Sequence, residues 1–250
     1  MNQAAHRPYP MPAQPWIQAQ TWDNLLFAHW PIAPDVMRQI VPASLAIDTF
    51  QGSAWIGIVP FGISGIRARF LPSVPGFGGF LELNLRTYVT LNDSAGTDRP
   101  GVYFFSLDAA KLWAVIGARV TYHLPYFHAR MRLTRDADWF VYSSQRIHRG
   151  APAAEFEARY RPTGTALYFE RDTLAYWLTE RYCLYAVDAR GGVHRGEIHH
   201  PQWQLAPAEL EISKNTIAAA APLSLPNDAP LLHFSKRQDV HIWPSVRVKL

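Results

Sequence analysis

Apolar and polar positions alternate with a period of two along most of this chain, the signature of strands with one buried face. The cleanest stretch is LELNLRTYVTL. Leu81, Leu83, Leu85, Thr87, Val89 and Leu91 fall on one face; Glu82, Asn84, Arg86, Tyr88 and Thr90 fall on the other. Tyr126 to Thr134 alternates in the same way, with Phe127, Ala129, Met131 and Leu133 opposite His128, Arg130 and Arg132. Trp16 to Trp30 reads as extended with a break near Asp23. Leu45 to Phe50 and Ala54 to Ile63 read as a hairpin around Gln51-Gly52, and Cys183 to Asp188 with Val193 to His200 as a second one around Gly191-Gly192. Further strands are expected at Val102 to Leu107, Trp139 to Ile147, Ala154 to Arg161, Leu231 to Phe234 and Val240 to Val248.

Helical spacing is rarer. Pro34 to Val41 has Pro in its first turn and an apolar stripe. Asp108 is placed to cap a helix from Ala109 to Arg119 whose stripe is Leu112, Val115, Ile116 and Arg119. Asp172 to Glu180 and Glu209 to Asn215 read as short helices. Asn92 to Gly101 is a polar turn. Phe70 to Gly79 is a loop with apolar content, either a cavity cover or an ordinary packed connection. The expected class is α+β, mostly antiparallel β, as a single domain over residues 1–250 with a loose arm over residues 1 to 15.

Composition narrows the function classes. With 48% hydrophobic and 18% charged residues, the chain can bury a large core. Nine Trp, eleven Tyr and thirteen Phe suit a thick core or pocket walls. The formal charge of +4 comes from scattered residues with no Lys or Arg run, so the footprint of a nucleic-acid binder is missing. Only Lys111, Lys214, Lys236 and Lys249 are lysines, so arginine is the main cation available to grip an anion. A lone Cys183 rules out an internal disulfide and, with no signal-like or membrane-length apolar run, makes the cytoplasm the expected location.

No phosphate-binding glycine loop, nucleophile elbow or zinc motif occurs, and no cofactor is expected. Three polar clusters remain. Glu82, Asn84 and Arg86 share a strand face that is either solvated or a pocket wall. His128 with Arg130 offers an acid or base, or a structural histidine. In RGEIHH, Arg195, Glu197 and His199 share one face, and His194 and His200 the other. Adjacent His199 and His200 point oppositely, so no metal is expected there.

LLFAHWP (25–31), WIGIVPF (55–61), ELNLRTYV (82–89), GVYFFSLDA (101–109), GARVTYHLPYFHARM (117–131), TERY (179–182) and RGEIHHPQW (195–203) resemble the YqjF-like family of uncharacterised bacterial proteins. The resemblance runs from about Trp22 to about Val248. That family is similar to the acetoacetate decarboxylase superfamily, which implies a bent, cone-like antiparallel β-barrel with a ligand cavity and a few short peripheral helices. Decarboxylases of that type form a Schiff base on a lysine of lowered pKa. The resemblance places Phe80-Leu81-Glu82 on their acidic motif, so Glu82 inherits a pocket role. It places their lysine pair on Tyr126 and Phe127, neither of which forms an imine. Their N-terminal arginine falls near His29 to Pro31, where no Arg stands.

The resemblance and the strand faces together give a small-molecule cavity for a carbonyl or carboxylate ligand and argue against Schiff-base decarboxylation. If a reaction occurs, Glu82 and His128 are the acid–base candidates. Arg86 or Arg119 is the carboxylate anchor, and Asn84, Tyr126, His29 and His199 are further ligand contacts. Two alternatives stay open: a non-catalytic sensor or accessory module, and a structural or interaction protein whose barrel is filled. A homodimer is an analogy from related barrels.

Overall fold

The computed structural model describes residues 4–72, 78–91, 96 and 99–249. The chain runs β1 (Gln18–Ile32), α1 (Pro34–Arg38), β2 (Ala46–Ile47), β3 (Ala54–Ala68), β4 (Phe80–Thr90), β5 (Gly101–Ala109), α2 (Leu112–Tyr122) and β6 (Tyr126–Asp136). It continues through β7 (Trp139–Arg146), β8 (Glu155–Pro162), α3 (Leu174–Thr179), β9 (Cys183–Val187), β10 (Val193–His199), β11 (Ala206–Asn215), β12 (Leu231–Ile242) and β13 (Val246–Arg247). The expected α+β class with few, short helices is what forms.

Nine strands close a ring in the order β5, β6, β7, β8, β11, β12, β1, β3, β4 and back to β5. The β9–β10 hairpin builds a second closure, with β9 on the start of β5 and β10 on the end of β12. Most neighbours are antiparallel. Two pairings are parallel, β5 with β6 and β5 with β9, so β5 holds a different parallel partner at each end. A closed ring leaves few free edges, which is how long β-rich chains avoid edge-to-edge association.

The long strands β1, β3 and β4 are covered on both faces. One face carries Leu26, Ala28, Ile56, Ile58, Leu83 and Leu85, packed with Phe140, Tyr142, Phe156 and Tyr160 from β7 and β8. Each such buried side chain contributes about 1.5–3 kcal/mol relative to exposure. The opposite face carries Leu25, Phe27, Val59, Phe61 and Ile63, and it is this face that turns toward the site. The expected break near Asp23 is real: Asn24 has φ 54° and the β1–β3 register slips between Asp23 and Ala28. Such a bulge bends the strand so that it wraps the barrel.

Several local expectations fail for identifiable reasons. Residues 206–215 form strand β11, not a helix; Arg159 pairs with Glu211 and Arg161 with Glu209 across β8, so a sequence with helical composition is held by cross-strand partners. Asp108 is not a helix cap. It lies inside β5, buried, with Arg146 Nε donating to it at 2.7 Å, and α2 starts three residues beyond the expected position, without a side-chain cap. On α2, Val115 is buried but Leu112 and Ile116 are exposed, so the expected stripe is not the packed face. The turn at Gln51-Gly52 exists, with φ 49° and 82°, but β2 pairs with β4 rather than with β3. The arm is not loose from Ala4 onward: Arg7 is buried, donates to the Ile198 carbonyl at 2.8 Å and stacks over Tyr182. The expectations for 73–77 of the Phe70–Gly79 loop and for 92–95 and 97–98 of the polar turn lie outside the described residues.

Candidate functional site

A cavity of about 380 Å³ lies between the Phe27–Phe61 face of the barrel sheet and a cover made by α2, the α3–β9 junction and the segment after β10. Its volume falls in the roughly 300–1,000 Å³ range of small-molecule sites. The sheet side contributes Trp22, Leu25 and Phe27 from β1, Val59, Phe61 and Ile63 from β3, and Glu82, Asn84 and Arg86 from β4. Trp113, Ala114, Gly117, Ala118 and Thr121 come from α2, and Thr179, Arg181 and Cys183 from the junction. The polar face of β4 is therefore a cavity wall. Glu82 and Asn84 are buried, and Arg86 is half-buried.

Glu82 is held at one end. Tyr126 Oη donates to its Oε2 at 2.7 Å, and Asn84 supplies a second hydrogen bond. Its backbone carbonyl accepts from Tyr142 Oη at 2.7 Å, which pins the strand. Burial raises the Glu82 carboxyl to about 7, against the opposing pull of its two donors. It is therefore divided between acid and carboxylate at neutral pH, the condition under which a group can both give and take a proton.

Arg86 stands two strand steps away on the same face, about 13 Å from Glu82 between Cα atoms at the usual strand rise. Its guanidinium lies over the Phe27 and Tyr88 rings at 5.3 and 5.7 Å, and Nη2 donates to Tyr88 Oη at 3.4 Å. Among the described residues no acidic side chain pairs with Arg86, and its buried Nε meets no acceptor. Beneath it, Tyr88 Oη is 2.6 Å from His29 Nε2. Burial first, then Arg86, holds His29 well below its usual pKa, so it is neutral. Gly57 makes this stack fit: a Cβ there would lie 2.7 Å from His29 Cδ2.

Arg181 is the second cation of the cavity wall. It is buried over the Trp177 and Tyr88 rings at 4.3 and 4.9 Å, and donates to Asp48 Oδ2 at 2.5 Å. His200 also lines the cavity. Burial lowers its pKa to about 3, and its Nδ1 lies 2.8 Å from the Pro201 carbonyl. Behind the wall, burial raises the Glu180 carboxyl to about 7, although Tyr182 Oη and the Trp203 amide both donate to it.

The structure thus gathers Glu82, Asn84, Arg86 and Tyr126 on the wall, with His29 directly behind Arg86. It does not bring His128, Arg119 or His199 to the cavity. β6 pairs with β5 as far as His128 and with β7 from Ala129 on, His128 is absent from the cavity lining, and its amide donates to His148 Nδ1 at 3.2 Å. Arg119 is exposed on α2, donates to the Tyr126 carbonyl at 2.8 Å and lies over Phe127. His199, absent from the cavity lining, stacks on His6 and Tyr182. Among the described residues no cluster of three or more His, Cys, Asp or Glu could hold a metal ion. Sequence reasoning missed Arg181 and the Trp22–Trp203 wall. Thr179, Arg181 and Cys183 do alternate with Glu180 and Tyr182 in TERYC, a period-two signal hidden by its position at a helix end.

The closed ring, with the cavity set against one face of its sheet, has the fold of the acetoacetate decarboxylase-like enzymes. One from Sphingomonas wittichii RW1 superposes with a TM-score of 0.61 at 13% identity, over 97% of this chain and 98% of that one. Acetoacetate decarboxylase from Legionella pneumophila gives 0.58 at 13% identity over 100% and 96%. The enduracididine biosynthesis enzyme MppR complexed with pyruvate gives 0.61 at 11% identity over 94% and 91%. Within that fold class the chain belongs to the DUF2071 family, described as an uncharacterized conserved protein, whose model matches residues 19–239. It is 48% identical over 229 residues to the uncharacterized protein YqjF of Bacillus subtilis (strain 168), covering 92% of this chain and 91% of that protein.

Proposed function

We propose that this protein binds a small carboxylate or carbonyl compound in the barrel cavity, with Arg86 as anion anchor and Glu82 as proton donor or acceptor. The observation that carries this reading is Arg86 itself: a guanidinium on the cavity wall with no acidic partner among the described residues, on the same strand face as a carboxyl poised near 7. The complex of the fold relative MppR with pyruvate supports the ligand class. No lysine lines the cavity, and all four lysines are exposed, which supports chemistry that does not pass through an imine. The buried free thiol of Cys183 suits a reducing, cytoplasmic setting.

A second reading, binding without turnover, is favoured by the absence of His128 from the cavity lining. The acid–base pair expected from the sequence is not assembled, and His200 in the cavity is occupied by backbone carbonyls. A thermal-shift screen of short 2-oxo and 3-oxo acids, followed by mass analysis of each hit, separates the two. A ligand that is bound and consumed supports catalysis; one bound and recovered intact supports the second reading. Arg86→Met is expected to weaken carboxylate binding about 10- to 100-fold, the worth of a charge-assisted hydrogen bond. Unchanged affinity would sink the anchor. A borohydride-trapped lysine adduct with acetoacetate would overturn the imine-free reading.

A further inference from the structure

The cavity has two polar ends along β4 and an extended aromatic wall, and this layout specifies more than a carboxylate. At one end sit Glu82, Asn84 and Tyr126. At the other, Arg86 and Arg181 both lie over the ring of Tyr88, at 5.7 and 4.9 Å. Asp48 balances Arg181, while Arg86 has no acidic partner among the described residues, so this end keeps an excess positive charge. Trp203 links the two ends: Phe27, beneath Arg86, meets it edge-on at 5.0 Å and Trp22 faces it at 6.2 Å, while Trp22 also contacts Phe61, the ladder partner of Glu82, edge-on at 5.7 Å. Phe80 and Trp113, perpendicular at 5.6 Å, extend the aromatic lining to α2.

Glu82 and Arg86 lie four residues apart on β4, and a three- or four-carbon oxo acid held at the Arg86–Arg181 end would leave most of the aromatic wall without contacts. We infer that the ligand is a monocarboxylic acid with a bulky apolar body, aromatic or branched, whose carboxylate sits at the Arg86–Arg181 end. A single carboxylate matches the single excess charge. The apolar body displaces water from Trp and Phe faces, the main source of affinity in pockets of this size. A second polar group on the ligand, a carbonyl or hydroxyl, then reaches Glu82 and Tyr126. This inference rests on the carboxylate reading above and adds the size and the apolar character of the body.

The test uses the full chain and its tryptophan fluorescence, because Trp22, Trp113 and Trp203 line the cavity. The probes are pyruvate, acetoacetate, phenylpyruvate, 4-methyl-2-oxopentanoate, and phenylpyruvamide as the neutral counterpart. Phenylpyruvate and the branched acid are expected to bind at least 30-fold more tightly than pyruvate. The amide is expected to lose at least tenfold against its acid. Arg86→Met should remove most of the acid–amide difference, and Trp203→Leu most of the difference between large and small acids. Trp203→Leu is checked for folding by far-UV circular dichroism, and Phe61→Leu serves in its place if it does not fold. If pyruvate binds with Arg86 dependence and the large acids bind no better, the inference fails while the carboxylate reading stands. If the amide binds as well as the acid, both fail. If none of the probes binds, the inference is likewise overturned.

Discussion

Tyr126 Oη donates a 2.7 Å hydrogen bond to Glu82 Oε2 inside the barrel. The tyrosine stands where the family resemblance places one of the imine-forming lysines, so the group next to the acidic residue is a neutral donor. A lysine there would compete with Glu82 for a proton; a phenol only tunes it. The bond lowers the Glu82 pKa against the stronger effect of burial. Tyr126→Phe is therefore expected to move the Glu82 titration further up from about 7. Carbon-13 NMR of labelled glutamate carboxyls across pH 5 to 9 would read the shift, and a downward movement would count against the assignment.

The raised Glu82 pKa also sets the sign of a stability change with pH. A carboxyl raised from 4.5 to about 7 on folding binds its proton more tightly in the native state. Its stabilising contribution is complete below pH 4.5 and is lost as pH rises through 7. The full difference is about 3 kcal/mol. Glu82→Gln should then be near neutral in stability at pH 5 and stabilising by about 1–3 kcal/mol at pH 8 to 9. Urea denaturation at the two pH values checks it. Glu180, also raised to about 7, stays in both proteins and cancels in the comparison.

Tyr88 joins the cavity to the layer behind it, accepting from Arg86 and bonding to His29. Tyr88→Phe leaves His29 Nε2 buried without that partner, and Nδ1 already has none. The expected cost is about 1–3 kcal/mol. Denaturant unfolding would measure it, and His29→Phe in the Tyr88→Phe background should recover part of the loss.

Asp108 on β5 and Arg146 on β7 form a buried pair, with Arg146 also over Phe127 at 4.1 Å. Removing one partner strands the other. Arg146→Met should cost about 3–5 kcal/mol, and the double change with Asp108→Asn distinctly less than the sum of the singles. A double-mutant cycle in guanidinium chloride decides this; strict additivity would show that the pair is not coupled.

Much of the site was legible in the alternation of β4, because a strand buried on both faces still sorts its residues by side. Glu82, Asn84 and Arg86 were placed together by period alone, and the cavity made them a wall. The hairpin at Gly191-Gly192 was equally plain, since turn chemistry is local. What escaped depended on partners far along the chain. The helix expected over Glu209 to Asn215 gave way to an antiparallel ladder with β8. His128 sits where β6 exchanges β5 for β7, with its backbone bonded to Ile147 and to the His148 ring, partners some twenty residues further along the chain. Arg181 reached the cavity only because β9 docks parallel on β5. Asp108 looks like a helix cap until Arg146, thirty-eight residues later, claims it.

The double role of β12 has a consequence for biosynthesis. This strand pairs with β1 and β11 and, at its far end, with β10, so it belongs to both closures. Neither ring can shut until Leu231–Ile242 has left the ribosome. Until then β1 waits with one edge open and its apolar faces unshielded, a state prone to intermolecular strand pairing. The nascent chain is thus expected to depend on holdase chaperones until β12 emerges, and to fold abruptly once that strand is released.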